Sequence, residues 1–201
     1  MSPHSKSEVG AVILAAGESS RLGQPKQLIA FRGKALVCRA VDAACEARCS
    51  PVVVVAGSSS EEIRHALGST RAMIVDNKNW RRGIGNSIRT GVQAVTDKRP
   101  DVNAIVLLVC DQPRVDARVI KRLVTLRSKT HKDIIASKYA DTLGVPALFS
   151  SAFFRELCFL EDWAGAKSII HKNRDRVAEL AFPGGEIDVD TWEQWEKVNR
   201  R

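Results

Sequence analysis

The sequence predicts an α/β fold: a single three-layer αβα domain around a mostly parallel sheet. Short β-branched runs alternate with segments of helical apolar spacing along the chain after residue 8. Val, Ile, Leu and Ala dominate the apolar residues, as in strands that are buried on both faces. A length of 201 residues suits one domain, so we expect a flexible N-terminus at 1–8 and a single domain at 9–201.

Each predicted strand is a short apolar run that ends at Gly, Pro or a polar turn. In chain order, the strands are predicted at 9–14, 52–56, 73–75, 104–109, 133–137, 146–149 and 177–181. Each predicted helix has apolar residues that recur every three or four positions. The helices are predicted at 35–47, 61–67, 84–95, 117–128, 151–158, 164–171 and 191–198. Ser60 and Asp116 are expected to cap the helices that follow them.

Composition and charge narrow the classes of partner. The net charge is +8, but the cations are spread at helical spacing and no aromatic-rich RNA-binding strand is present. We therefore expect no nucleic-acid partner, and a basic surface also suits an anionic small substrate. No apolar run is long enough to span a membrane and residues 1–8 lack a secretory core, so we expect a cytoplasmic protein without membrane contact.

The loop after the first predicted strand has a phosphate-binding composition. Residues 14–26 read L-A-A-G-E-S-S-R-L-G-Q-P-K. Small residues allow the backbone to approach a ligand closely, and Arg21 and Lys26 suit anionic oxygens. Five residues separate Gly17 from Gly23, which fits neither a Walker A loop nor G-x-G-x-x-G. The alternative is a basic turn that binds nothing.

Asp111 follows the most apolar strand, at 104–109. Its carboxylate is therefore expected at the carboxyl edge of the sheet, where open α/β sheets bind ligands. Hard oxygen ligands suit Mg²⁺. The alternative is a helix cap, although Asp116 fills that role better.

These segments resemble the MobA-like NTP transferases, which are related to the molybdenum-cofactor nucleotidyltransferases. The loop is similar to their L-A-A-G-x-S-x-R-M/L-G-x-P-K, and C-D-Q-P is similar to their (G/A/C)-D-x-P, whose aspartate binds metal. E-I-D-V-D-T-W-E resembles their D-I/V-D-T-P-E-D. The resemblance implies a Rossmann-like sheet of the nucleotide-diphospho-sugar transferase type and a metal site at Asp111 and Asp188. Asp190 remains the alternative ligand, or a helix cap.

Residues 77–91 resemble the family's N-P-x-W/Y-x-x-G-x-x-x-S-L/V-x-x-G, which contacts the base and ribose. Gly83 and Gly85 would permit close approach of a flat ligand, and Ser87 lies in the first turn of a predicted helix. A helix entry alone also explains this glycine pair. The resemblance implies Arg21, Lys26 and Asp111 as catalytic residues. The expected nucleotide-binding residues are Leu14, Ala15, Ala16, Gly17, Arg21, Lys26, Gly57, Asn77, Gly83, Ser87 and Asp111.

The acceptor half of the resemblance is weaker. G-V-P at 144–146 resembles the family's G-x-P, in which cofactor-cytidylating members often have His in the middle. Residues 161–167 only loosely resemble G-D-x-G-A-R, and Lys replaces the final Arg, which removes a bidentate fork. Gly144, Pro146 and Lys167 are the expected acceptor-binding residues.

The resemblance implies Mg²⁺-dependent nucleotidyl transfer from a nucleoside triphosphate, with pyrophosphate as the leaving group. The G-x-S-S-R-x-G-Q form of the loop is more similar to the cytidylyltransferase branch, so CTP is expected ahead of GTP. A phosphorylated acceptor such as molybdopterin, and a molybdoenzyme client, are the expected partners of a monomer or homodimer. The alternatives are a cytidylyltransferase for a sugar or polyol phosphate and a non-catalytic nucleotide-binding cofactor chaperone.

Overall fold

The computed structural model describes residues 9–19, 22–189 and 191–199. A seven-stranded sheet lies at the centre of their fold. The strands are β1 Val9–Ala15, β2 Ala30–Phe31, β3 Lys34–Ala35, β4 Val52–Ala56, β5 Met73–Asp76, β6 Ala104–Val109, β7 Ile134–Tyr139, β8 Thr142–Ser150 and β9 Val177–Ala181. The helices are α1 Leu36–Glu46, α2 Ser60–Leu67, α3 Ile84–Lys98, α4 Ala117–Thr130, α5 Phe154–Cys158, α6 Ala166–Lys172 and α7 Trp192–Asn199. The predicted flexible segment 1–8, Arg21 and Asp190 lie outside the described residues.

The strand order of the seven-stranded sheet is β5-β4-β1-β6-β8-β7-β9, and β2 and β3 pair antiparallel as a separate two-stranded sheet. β1 pairs in parallel with β4 and β6, β4 with β5, and β7 with β9. β8 is antiparallel to both of its neighbours, β6 and β7. The mostly parallel α/β sheet expected from the sequence is therefore confirmed. Its carboxyl edge, next to β1 and β6, is where the predicted site residues gather.

Helices cover both faces of the sheet because successive strand residues point in opposite directions. Ile13, Val54 and Leu108 belong to the core under α1 and α4, and each is fully buried. Their neighbours in sequence pack under α3, α5 and α6 on the opposite face. This double burial explains why the strands read as continuous apolar runs.

The hairpin of β7 and β8 differs from the prediction. A short strand was expected at 146–149, whereas β8 spans Thr142–Ser150. Ala140 and Asp141 form the connection with φ values of 45° and 57°, the left-handed backbone of a two-residue hairpin turn. The pair lacks the Asn-Gly or Asp-Gly signal of such turns, so the sequence pattern did not reveal it.

Two other local predictions need revision. Ser60 is the first residue of α2 and not its cap, and its hydroxyl donates to the Asp76 carboxylate instead. The helix expected at 151–158 begins with a 3₁₀ turn at Ser151–Phe153 before α5. Asp116 does cap α4, since its carboxylate accepts a hydrogen bond from the Val119 N–H at 3.0 Å. Within the described residues, no helix is both long enough and apolar enough to cross a membrane.

Candidate active site

A cleft of about 520 Å³ opens where β1 and β6 end side by side. Leu14 and Ala15 line it from the end of β1, and Asp111 lines it from just beyond β6. The hydrogen bond from the Cys110 N–H to the Leu14 carbonyl, at 3.2 Å, continues the strand pairing to the rim. Parallel neighbouring strands deliver the small-residue loop and the carboxylate to one edge of the sheet.

Gln27 holds the loop after β1 in its turned shape. The side chain is 1% exposed, and its amide donates to the carbonyls of Ala15 at 2.9 Å and Gly17 at 2.7 Å. The Lys26 N–H donates to the Ser19 hydroxyl at 2.7 Å. Sequence reasoning did not single out Gln27. The only feature of the sequence that marks Gln27 is its place directly after Pro25-Lys26, as a polar residue in a segment that is buried in the structure.

Lys26 and Asp111 form an ion pair at the centre of the cleft. The Lys26 Nζ lies 2.5 Å from the Asp111 Oδ2, and the two side chains are 16% and 17% exposed. Partial burial strengthens this attraction relative to a surface pair. The contact brings together two residues predicted to be catalytic that are 85 positions apart in the sequence.

Ser87 reaches the cleft from the first turn of α3, and Asn77 fixes its position. The Asn77 amide donates to the Ser87 hydroxyl at 3.0 Å, and its side-chain oxygen accepts from the Asn79 N–H at 3.0 Å. Asn77 is 5% exposed and is not among the cleft-lining residues, whereas Ser87 is. The buried asparagine therefore orients the serine from behind.

Gly83 and Gly85 allow a loop of this chain to approach closely. From the sequence, a flat ligand was expected to approach them instead. A Cβ on Gly83 would lie 2.3 Å from the Asp162 carbonyl oxygen, and one on Gly85 would lie 1.9 Å from that of Glu161. The Gly85 N–H donates to the Asp162 carbonyl at 2.7 Å. Gly83, with φ at 132°, also lines the cleft. It therefore contacts the loop and forms part of the cleft surface.

Two arginines, Arg82 just before α3 and Arg89 within it, clamp this loop through one carboxylate. Arg82 Nε lies 2.7 Å from an Asp162 oxygen, and Arg89 donates to the other oxygen. The Arg89 hydrogen bond, with help from Arg82, holds the pKa of Asp162 below its usual value. The clamp was not predicted, because its partners are more than 70 positions apart in sequence.

Asp188 and the predicted acceptor loop lie beside Asp111. The Val189 N–H donates to the Asp111 carbonyl at 3.0 Å, which draws the chain at Asp188 alongside. Burial raises the pKa of the Tyr139 phenol, and the charges of Asp188 and Asp111 raise it further. The Tyr139 phenol therefore lies close enough to both predicted metal ligands for their charges to affect its pKa.

The loop at 144–146, predicted to bind the acceptor, is held by Tyr139 and Gln112, neither of which the sequence singled out. Tyr139 donates to the Val145 carbonyl at 2.9 Å, and Gln112 donates to the same carbonyl at 3.2 Å and to the Gly185 carbonyl at 2.7 Å. A Cβ on Gly144 would lie 2.4 Å from the Tyr139 hydroxyl and 3.1 Å from Cε of Lys167. Gly144 therefore permits the lysine and the phenol to approach the same stretch of backbone.

Most of the described nucleotide-binding candidates line the cleft: Leu14, Ala15, Ala16, Gly17, Lys26, Gly83, Ser87 and Asp111. Gly57 lies behind the loop, since a Cβ there would be 2.3 Å from the Ala16 carbonyl oxygen. Trp80, Arg81 and Gln27 also line the cleft, and the Arg81 guanidinium stacks 4.6 Å from the centroid of the Trp80 ring. Gly144, Pro146, Lys167 and Asp188 lie outside the lining of this cleft.

The sequence of this site matches a known family. Residues 11–177 fit the profile of the MobA-like NTP transferase domain. The chain belongs to the MobA-like NTP transferase family. The match covers the loop after β1, Asp111, the 77–91 segment and the acceptor loop, so the resemblance noted from the motifs is confirmed.

Relatives of this MobA-like chain carry different functional names. It is 33% identical over 117 residues to nicotine blue oxidoreductase of Paenarthrobacter nicotinovorans, covering 58% of this chain and only 55% of that protein. It is 27% identical over 204 residues to the purine catabolism protein PucB of Bacillus subtilis, covering 94% and 95% of the two chains. The names of these two relatives therefore indicate no shared substrate.

Solved structures share the whole fold. The crystal structure of Rv0371c from Mycobacterium tuberculosis H37Rv has a TM-score of 0.81 at 30% identity and covers 96% of this chain and 97% of its own. A complex of Rv0371c with manganese has a TM-score of 0.80 at 28% identity, with coverages of 96% and 98%.

Proposed function

We propose that this MobA-like protein transfers a nucleoside monophosphate from a nucleoside triphosphate to a phosphorylated acceptor and releases pyrophosphate. CTP is the proposed donor ahead of GTP, and a molybdopterin-type compound is the proposed acceptor. The observation that carries the proposal is the Lys26–Asp111 pair in a cleft shared with Gly17 and Ser87. A cation, a carboxylate and a close backbone approach are the parts that phosphoryl-group chemistry needs.

The proposed position of the nucleoside triphosphate is based on the residues that line the two walls of the cleft. Backbone groups from Ala15 to Gly17 would meet the base and ribose, together with Ser87 on the opposite wall. Lys26 would hold the α-phosphate or the acceptor's anionic oxygen, and Arg21 would hold the leaving β- and γ-phosphates. Trp80 and Arg81, which also line the cleft, extend this wall beside the base.

The residues fit a divalent cation, proposed here as Mg²⁺. The Asp111 carboxylate offers hard oxygens at the rim, and the backbone contact at Val189 brings Asp188 next to it. Among the described residues, no group of three or more His, Cys, Asp or Glu forms a closed cage. Mg²⁺ is typically held by one or two carboxylates plus substrate phosphates, so this open arrangement suits it. The manganese complex of Rv0371c also supports divalent-cation binding.

In the proposed reaction, an acceptor phosphate oxygen attacks the α-phosphorus in line. The new oxygen–phosphorus bond forms as the bond to the bridging oxygen of pyrophosphate breaks, and that oxygen leaves with the electron pair. Lys26 and Arg21 hold the reacting oxygens and neutralise their charge. A bound divalent cation supplies further positive charge to the transferring group. No protein nucleophile is required.

A pyrophosphate-release panel tests the reaction. Four nucleoside triphosphates are compared with Mg²⁺, each with and without a molybdopterin-type acceptor. We expect release only with the acceptor, and fastest with CTP. Release with a polyol phosphate but not with the pterin would replace the proposed acceptor. Saturable nucleotide binding without any acceptor-dependent release would instead support a non-catalytic chaperone.

Asp111→Asn tests the role of the carboxylate. Removing its charge should lower the rate of pyrophosphate release at least about 100-fold, because the cation loses a ligand. Asp97→Asn on the exposed face of α3 is the matched control and should leave the rate unchanged. An active Asp111→Asn variant would rule out this metal assignment.

A further inference from the structure

A second pocket, of about 400 Å³, lies apart from the catalytic cleft and shares no lining residue with it. Arg32, Arg39 and Arg114 line it. Its remaining walls come from two phenylalanines, two prolines and one acid: Phe31, Phe182, Pro113, Pro183 and Asp116. Three guanidinium groups therefore converge on a small pocket with apolar walls.

Arg39 has hydrogen-bonding capacity that the described protein does not use. It extends from α1 with its guanidinium 4.9 Å from the Phe31 ring centroid, and its Nη2 makes a long contact of 3.4 Å with the Pro113 carbonyl. Its Nε–H is buried and has no hydrogen-bond partner among the described residues. Because the Nε is buried, an anionic oxygen in the pocket would bond the Nη end of this guanidinium, where the long Pro113 contact is the only hydrogen bond within the described residues.

The other two arginines add uncompensated positive charge. Arg32 lies 5.3 Å from the centroid of the same Phe31 ring, so two like charges lie close to one aromatic side chain. Arg114 packs against the chain at Gly184, where a Cβ would come within 2.2 Å of its Nη1. No ion pair joins Arg32 or Arg114 to a residue in the described part of the chain. The glycine leaves the space that the Arg114 guanidinium occupies.

Asp116 offsets only part of this charge. One of its oxygens accepts from the Val119 N–H at 3.0 Å as the cap of α4, and the other lies 3.2 Å from Nε of Arg118. Three guanidinium groups and one carboxylate line the pocket, so the charge of its lining remains positive.

We propose that this pocket binds the phosphate group of a small organophosphate, at a site distinct from the nucleotide cleft. Guanidinium forks match phosphate oxygens in pairs, and three cations suit a dianion better than a single carboxylate. The phenylalanine and proline walls provide apolar contact for the body of the compound. The proposal does not depend on the proposed nucleotidyl transfer.

The test measures phosphate binding by a variant whose catalytic cleft is expected to bind phosphate less tightly. Lys26→Ala provides the background, because the cleft then lacks one of its proposed phosphate-binding cations. Inorganic phosphate and phenyl phosphate are titrated by calorimetry into this protein and into versions that also carry Arg39→Gln, Arg114→Gln or Arg32→Gln. Arg71→Gln is the matched control, since this exposed arginine lies outside the pocket lining.

We expect saturable binding, with phenyl phosphate tighter than inorganic phosphate. Each pocket variant should weaken binding about tenfold, whereas Arg71→Gln should not. Arg32→Gln guards against misfolding, because that exposed side chain makes only a ring contact among the described residues. Absence of saturable binding, equal affinity for the two probes, or binding unaffected by all three pocket variants would overturn the assignment.

Discussion

Lys26 occupies the carboxylate oxygen that a divalent cation would use. Its Nζ lies 2.5 Å from Oδ2 of Asp111. A cation and an ammonium group compete for the same oxygen, and phosphate oxygens offer the ammonium a new partner. We therefore expect nucleotide and divalent cation to bind cooperatively, because the triphosphate draws Lys26 away from Asp111.

Lys26→Ala separates these two effects. Without nucleotide, the variant should bind Mn²⁺ several-fold more tightly than the wild type, because the competing ammonium group is gone. Its affinity for nucleoside triphosphate should fall about tenfold or more, because a charge-assisted phosphate contact is lost. Mn²⁺ titration by electron paramagnetic resonance and nucleotide titration by calorimetry measure the two constants.

Lys34→Ala serves as the control, since Lys34 pairs with Asp42 on the exposed surface. It should change neither affinity. If Lys26→Ala binds Mn²⁺ no better than the wild type without nucleotide, the proposed competition is wrong.

At the scale of elements, the start of α3 and the 161–164 loop behave as one unit. The two glycines admit the loop backbone, and Asp162 ties it to Arg82 and Arg89. Gly83 and Ser87 line the cleft from this unit. The shape of one cleft wall therefore depends on a segment that belongs to another part of the sequence.

Gly85→Ala tests this dependence. The added methyl group would lie 1.9 Å from the Glu161 carbonyl oxygen, so the loop must move. We expect weaker nucleotide binding, by about tenfold, with a moderate loss of stability of about 1–3 kcal/mol. Calorimetry and denaturant unfolding provide the two measurements. Gly17→Ala, which meets nothing within 4 Å, is the steric control for stability.

The clamp also predicts a pH dependence. The Arg89 and Arg82 contacts lower the pKa of Asp162 in the folded protein, so ionised Asp162 stabilises the fold at pH values above the ordinary aspartate pKa of about 3.9. This contribution is lost as the pH falls through the lowered folded-state pKa. The difference in Tm between the wild type and Asp162→Asn should be constant near neutral pH and shrink below about pH 4. A difference that does not change with pH would contradict the clamp.

At the scale of the whole molecule, the central strands carry both the core and the site. Leu108 in β6 is fully buried and lies three residues before Asp111. Leu108→Ala should destabilise the protein by about 2–5 kcal/mol through lost burial and a cavity. Leu126→Ala, at a partly buried position of α4, should cost less. Denaturant unfolding compares them, and equal costs would contradict the central role of β6.

Local sequence patterns were sufficient to predict the ends of a strand where turn residues lie directly beside it. The strands at 52–56, 104–109 and 177–181 were predicted to the residue, because apolar runs end there at turns. β8 was predicted too short, because Gly144 and Pro146 interrupt its pattern and its pairing with β6 and β7 comes from distant sequence. The motif residues Gly17, Lys26 and Asp111 were found because their chemistry is concentrated in short segments.

The sequence by itself determined the α/β class, the small-residue loop after β1 and the carboxylate at the sheet edge, since short-range patterns encode each of them. Tertiary structure decided that Lys26 bonds Asp111, that Gln27 braces the loop and that Gly83 and Gly85 admit the 161–164 backbone. It also gathered Arg32, Arg39 and Arg114 into one pocket. These contacts join residues far apart along the chain, and only the packing of the sheet and its helices brings them within bonding distance.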